Sequence, residues 1–220
     1  DAGTSLSPFT KVGAGTLRFV AAPTFANALA VSEGLLAFEP AGTTTLTSPF
    51  LFNGGTLRLR GNEQVLDAAA GVTVAQPSAI LLDIADGTPS GTYPLIENFG
   101  ADTPIDALTA RLVREVGTAH FVKDGATLCV ALEIDPSFPR TARWSGGAGT
   151  GDITQTANWS CLNFFGEPVE AVPKNLTSVI LEGDVDMQVP SGTTLTYADI
   201  AIGDVRLTAD CDWRGLGTIS

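Results

Sequence analysis

Gly15-Thr16-Leu17-Arg18-Phe19, Gly34-Leu35-Leu36-Ala37-Phe38 and Gly55-Thr56-Leu57-Arg58-Leu59 are three versions of one five-residue phrase, beginning 19 and 21 residues apart. In each, a glycine opens a segment whose third and fifth residues are apolar and whose fourth is Arg, Ala or Arg. That alternation has the two-residue period of a β-strand with one buried and one wet face. Further strand candidates stand between and after the phrases at 29–31, 46–52 and 72–74, bounded by Gly, Pro, Asn or Ser turns. Two or three short strands in a period of about 20 residues is what a β-solenoid needs, because each coil must bring the chain back to the same place one strand spacing along the axis. Like positions then form ladders: Leu17, Leu36 and Leu57 in one, Phe19, Phe38 and Leu59 in the next. Each rung is buried only because its neighbours are, so no single repeat is stable alone. The competing reading is an antiparallel sandwich whose strands share a Gly-Thr-Leu start.

Lys11-Val12-Gly13-Ala14-Gly15-Thr16-Leu17 followed by Val31-Ser32-Glu33-Gly34-Leu35-Leu36 resembles the repeat of bacterial autotransporter-associated β-strand proteins, which reads roughly Lys-x-Gly-x-Gly-Thr-Leu, a gap, then Val-x-x-Gly-x-Leu. The match covers residues 8–61, and Gly34-Leu35 departs from the Gly-Thr of the pattern. The resemblance implies a right-handed parallel β-helix in a large exported surface protein, and it carries no catalytic residues.

Beyond the repeats, residues 78–135 read as a closing β meander, with strands at 79–84, 92–96, 119–122 and 127–134 and turns at Asp86-Gly87 and Asp124-Gly125. Within it, 104–116 fits either a short helix capped by Asp106 or an edge strand, and the strand is favoured. Asp135-Pro136-Ser137-Phe138-Pro139 is the strongest break in the chain and divides a solenoid segment, 1–135, from a second β-rich unit, 136–220. That unit opens with Trp144-Ser145-Gly146-Gly147 and Asn158-Trp159, similar to the Trp-x-Gly-Gly and Asn-Trp opening found between β-helix segments of the same exported proteins. Its strands are expected at 178–181, 194–197, 200–202 and 205–208, and Gly215-Leu216-Gly217-Thr218-Ile219 reads as the start of another rung, so the chain is expected to be part of a longer protein.

Composition excludes several functions. Twenty-four acidic against 12 basic residues give a net charge of −12, and both sides of residue 135 share the excess, so it is a solubilising surface that repels nucleic acid. No stretch approaches the ~20 apolar residues of a membrane-spanning helix. His120 is the only histidine, and Cys129, Cys161 and Cys211 have no zinc-ligand spacing. If two cysteines pair, Cys161 with Cys211 is the candidate; buried free thiols are the favoured reading.

Candidate chemistry is correspondingly thin. Asp184 and Asp186 share one side of a strand or loop and are the candidate Ca²⁺ ligands, weighed against a solvated acidic turn; Asp83 with Asp86 is read the same way. No Gly-x-Ser-x-Gly elbow accompanies His120, and the glycine-rich 146–151 lacks the Gly-Lys-Ser/Thr ending of a phosphate loop. Trp144, Trp159 and Trp213 all fall in the second unit and are the candidate ligand-binding residues, either stacking on sugar faces or plugging a β-stack. Asn158-Trp159-Ser160 and Asn175-Leu176-Thr177 match the glycosylation acceptor pattern. The expectation is therefore an all-β parallel solenoid without cofactor or catalysis. It would be a structural or adhesive segment of a secreted or cell-surface protein, with surface glycans or other surface proteins as partners. A carbohydrate-binding module and a β-helical polysaccharide-active enzyme are the alternatives.

Overall fold

The computed structural model describes residues 8–21, 23, 25, 27–114, 116–174 and 177–181, and beyond them the backbone of five strands between 185 and 215. Contacts divide the chain into two units, 1–114 with 118–133, and 115–117 with 134–220.

The first unit is a β-solenoid. Its first coil contributes β1 (Phe9–Lys11) and β2 (Thr16–Phe19), its second β3 (Leu29–Val31), β4 (Leu35–Phe38) and β5 (Gly42–Thr45). The third adds β6 (Phe50–Asn53), β7 (Thr56–Arg60) and β8 (Gln64–Asp67), and the fourth β9 (Val72–Gln76), β10 (Ser78–Asp83) and β11 (Gly91–Glu97). Corresponding strands stack in parallel into three sheets, one of them in the order β2, β4, β7, β10. The register is the one the Gly-x-Leu phrases call for: Leu17 lies beside Leu36, Leu36 beside Leu57, and Leu57 beside Ile80. Leu36, Leu57 and Ile80 are wholly buried. In the second ladder Phe19 stands beside Phe38, rings stacked at 5.4 Å, and Leu59 beside Leu82. Parallel pairing removes the sandwich alternative.

Two features differ from the sequence reading. The ladder continues past residue 78, where a closing meander was expected: β10 is a fourth rung, and β12 (Leu108–Leu112) pairs with it in parallel as a fifth. Ser78-Ala79-Ile80-Leu81-Leu82 has no Gly-Thr-Leu start, yet Ser78, Ile80 and Leu82 are buried at every second position, with Ala79 covered as well, and an inward residue at every second position is what stacking requires. The antiparallel meander is confined to a neighbouring sheet, ordered β13 (Gly117–Asp124), β14 (Thr127–Ile134), β11, β8 and β5. The third strands of the second and third coils, β5 and β8, were also missing from the reading, whereas β11 falls on the strand expected at 92–96. In β5, Gly42-Thr43-Thr44-Thr45, only Thr44 is buried, so no apolar alternation marks it.

Where the first two coils turn, Lys11 is 8% exposed and its Nζ donates to the carbonyl oxygens of Val12 (2.8 Å), Gly13 (2.5 Å) and Glu33 (3.1 Å). Glu33 answers from the second coil, its Oε2 accepting from the Gly13 N–H at 2.7 Å. Gly34 closes this clamp at φ +65°; a Cβ there would overlap the Gly13 carbonyl oxygen and lie 2.8 Å from Lys11 Nζ. Only glycine satisfies both the left-handed backbone and the space.

In the second unit β15 (Pro139–Trp144), β16 (Trp159–Asn163) and the short β17 (Pro168–Val169) form an antiparallel set. Parallel stacking resumes with β18 (Ser178–Leu181) on β15. Beyond it come β19 (Val185–Gln188), β20 (Thr194–Tyr197), β21 (Ile200–Ile202), β22 (Val205–Thr208) and β23 (Asp212–Gly215). Strand for strand, β18, β19 and β20 pair in parallel with β21, β22 and β23, the coil scheme of the first unit.

Candidate functional site

Trp144 and Trp159 end and begin the two strands of the β15–β16 hairpin and sit directly opposite each other. Their rings meet edge to face at 4.9 Å, each residue is 7% exposed, and the Trp159 indole N–H donates to the Ile153 carbonyl at 2.8 Å. Around them pack Ala142, Ile153, Cys161, Val179 and Leu181. Among the described residues these two rings belong to the hydrophobic cluster of this unit, with the polar edge of one satisfied internally, so a saccharide would reach neither without opening the hairpin. The side chain of Trp213 lies outside the described residues.

Asn158 holds the glycine-rich loop against this core. It is fully buried; its Oδ1 accepts from the Ala148 N–H at 2.8 Å and its Nδ2 donates to the Asp152 carbonyl at 2.8 Å. The 146–151 segment is thus a turn organised by one amide, and Asn158 has no free amide to offer a glycosylating enzyme. Asn175 lies outside the described residues. So do Asp184 and the side chain of Asp186, the candidate calcium ligands. Among the described residues no group of three His, Cys, Asp or Glu side chains converges as a metal site. His120 is exposed on β13.

Cys161 is 3% exposed and its thiol donates to the Ala171 carbonyl at 3.3 Å; Cys211 lies outside the described residues. Burial pushes the Cys161 thiol from an ordinary 9.0 up to about 11. The folded state therefore keeps a proton that the unfolded chain releases first, and the stabilisation is complete below pH 9 and lost as pH rises through 11. In the folded protein at pH ~8, iodoacetamide is expected to leave Cys161 unmodified by peptide mass mapping, with labelling after denaturation. Rapid labelling without denaturant would refute the burial of this thiol.

The outer face of the β2-β4-β7-β10-β12 sheet carries a repeated polar pattern. Outward positions on alternate strands carry the same pair: Thr16 and Arg18 on β2, Thr56 and Arg58 on β7, Thr109 and Arg111 on β12. The register puts Arg18, Ala37, Arg58, Leu81 and Arg111 in one row and Thr16, Leu35, Thr56, Ala79 and Thr109 in the next. Arg18 pairs with Glu39 at 3.0 Å, Arg58 with Asp83 at 2.6 Å, and Arg114 with Asp86 at 2.6 Å. The Arg18 guanidinium, hydrogen-bonded to Glu39, holds that carboxyl below its usual range. Arg111 is exposed and makes no ion pair among the described residues. It edges a shallow cavity of about 220 Å³ lined also by Gly54, Thr56, Ser78, Ala79 and Thr109. The sequence reading missed this site because it treated the fourth position of each phrase only as the wet face. The Thr-x-Arg recurrence was present, but it skips every second coil.

The chain is 29% identical over 151 residues, 69% of its length, to a probable autotransporter, YfaL, of Escherichia coli strain K12. It spans only 11% of that protein. No family model and no solved structure matches it. The resemblance read from the Gly-Thr-Leu phrases is thus met twice, by stacked parallel coils and by similarity to an autotransporter.

Proposed function

We propose that this chain is a structural or adhesive segment of an exported bacterial surface protein, in which stacked coils serve as spacer and as docking surface without catalysing a reaction. The observation that carries this reading is the parallel register of Leu17, Leu36, Leu57 and Ile80, a ladder that extends the molecule one rung at a time and spends its apolar residues on stacking. Similarity to a probable autotransporter supports export. The carboxylates of Asp83 and Asp86 are balanced by Arg58 and Arg114, an arrangement suited to a stable surface more than to proton transfer.

The test is topological. Antibodies against this segment are expected to label intact cells that make the full gene product, and external protease is expected to remove the label without lysis. Labelling only after permeabilisation would overturn the surface assignment. Release of reducing ends from pectin, mucin glycan or alginate by the purified chain would overturn the non-enzymatic part.

A further inference from the structure

We propose that the outer face of the β2-β4-β7-β10-β12 sheet binds a linear acidic polysaccharide, laid along the stacking axis and held by the Thr-x-Arg pairs of alternate coils. The inference rests on the reading of the chain as a surface segment and gives its adhesive half a ligand class.

The argument is one of spacing. Arg18 to Arg58, and Arg58 to Arg111, are each two rungs apart in a single row, so the guanidiniums recur about every 9–10 Å along a straight line. In a polysaccharide joined through equatorial bonds at opposite ends of the ring, each sugar is turned over relative to the last. Uronate carboxylates then project to the same side at every second sugar, and one ring is about as long as one rung spacing. A duplex nucleic acid, with a phosphate about every 3.4 Å along each strand, does not fit that row.

The side chains also match in kind. Arginine's planar fork takes a carboxylate in two parallel bonds, and the threonine hydroxyl beside each one both donates and accepts to sugar hydroxyls. The rungs in between present Leu35 and Leu81, both partly exposed, as apolar strips for the C–H faces of the rings. The cavity at Arg111 gives one sugar a recessed seat flanked by Thr56 and Thr109.

Net charge does not oppose this. Although the chain carries −12, charges more than about 8 Å apart are largely screened at physiological salt, so the local field decides. Arg111 has no ion-pair partner among the described residues; Arg18 and Arg58 are paired with Glu39 and Asp83, but with arginine side chains 65% and 38% exposed both are surface pairs that exchange partners for a uronate at little cost.

A β-1,4-linked mannuronate hexamer is the probe, with the neutral mannose hexamer of the same linkage as its control, and binding is read by calorimetry. The uronate is expected to bind, more weakly as salt rises, and the neutral hexamer not at all. Arg111→Gln is expected to weaken binding about tenfold, with an unchanged thermal transition. Lys174→Gln, which removes the same charge in the second unit, is expected to leave binding as it was. No binding of the uronate at low salt would overturn the proposal, as would equal binding of the neutral hexamer or an affinity indifferent to Arg111→Gln. Because the probe is added to purified chain, these results are independent of cell-surface labelling, and either reading can fail without the other.

Discussion

Gly34→Ala is expected to lower the unfolding free energy of the first unit by about 2–5 kcal/mol, combining the cost of a left-handed non-glycine residue with that of overpacking. The added methyl would meet backbone, the carbonyl oxygens of Gly13 and Gly15, and the Nζ of Lys11. No side-chain rotation relieves an overlap with backbone, so the coil itself must shift. Two controls separate the causes. Gly71 has φ +88° with open space around its missing Cβ, and Gly71→Ala should cost only the conformational part, about 1–2 kcal/mol. Gly15 is not in the left-handed region and has nothing within 4 Å; Gly15→Ala should stay within about 0.5 kcal/mol of the parent. Denaturant unfolding of the three variants decides the matter, and a Gly34→Ala loss no greater than that of Gly71→Ala would show that the clamp tolerates the methyl.

Leu36→Ala, which removes the second rung of the interior ladder, is expected to cost about 2–5 kcal/mol as a fully buried truncation. Leu17 stands one rung out, on the first coil, and is only partly buried, so Leu17→Ala should cost less. That order follows from stacking: Leu36 has a leucine on either side in the register, Leu17 on one. A Leu36→Ala effect below about 0.5 kcal/mol would place the residue outside the core.

How much of this was legible beforehand depended on whether a residue's partner is a copy of itself. The Leu17, Leu36 and Leu57 ladder was readable because a solenoid pairs like with like, so repetition in sequence is contact in space. The same logic failed at β10, where the ladder continues with Ile80 23 residues after Leu57 and without a glycine start. It failed for β5 because threonine rungs carry no apolar alternation. The tryptophans are a different case. Trp144 and Trp159 meet through a local antiparallel hairpin, and nothing in a Trp-x-Gly-Gly phrase says whether the ring points out or in. The amide network of Asn158 was likewise hidden inside what read as an acceptor tripeptide, since three of its polar contacts are to residues 6–10 positions upstream.

Coils that resemble one another carry a risk of misassembly: leucine rungs are interchangeable, so the apolar ladder by itself scarcely distinguishes stacking β2 on β4 from skipping a coil and stacking it on β7. The Lys11 clamp supplies the missing address. Along its own row Lys11 is followed by Val31, Phe52 and Val74, so the ammonium occurs once. Its acceptor on the next coil, the Glu33 carbonyl, stands beside the left-handed Gly34, whereas Gly55, which opens the third phrase, does not have that backbone. A chain that skipped a coil would meet Gly54 in place of Glu33, so the Gly13 amide would lose its carboxylate. The Glu33 carboxylate on the Gly13 amide is therefore a contact particular to the first two coils, set beside leucine stacking of a kind that neighbouring coils share.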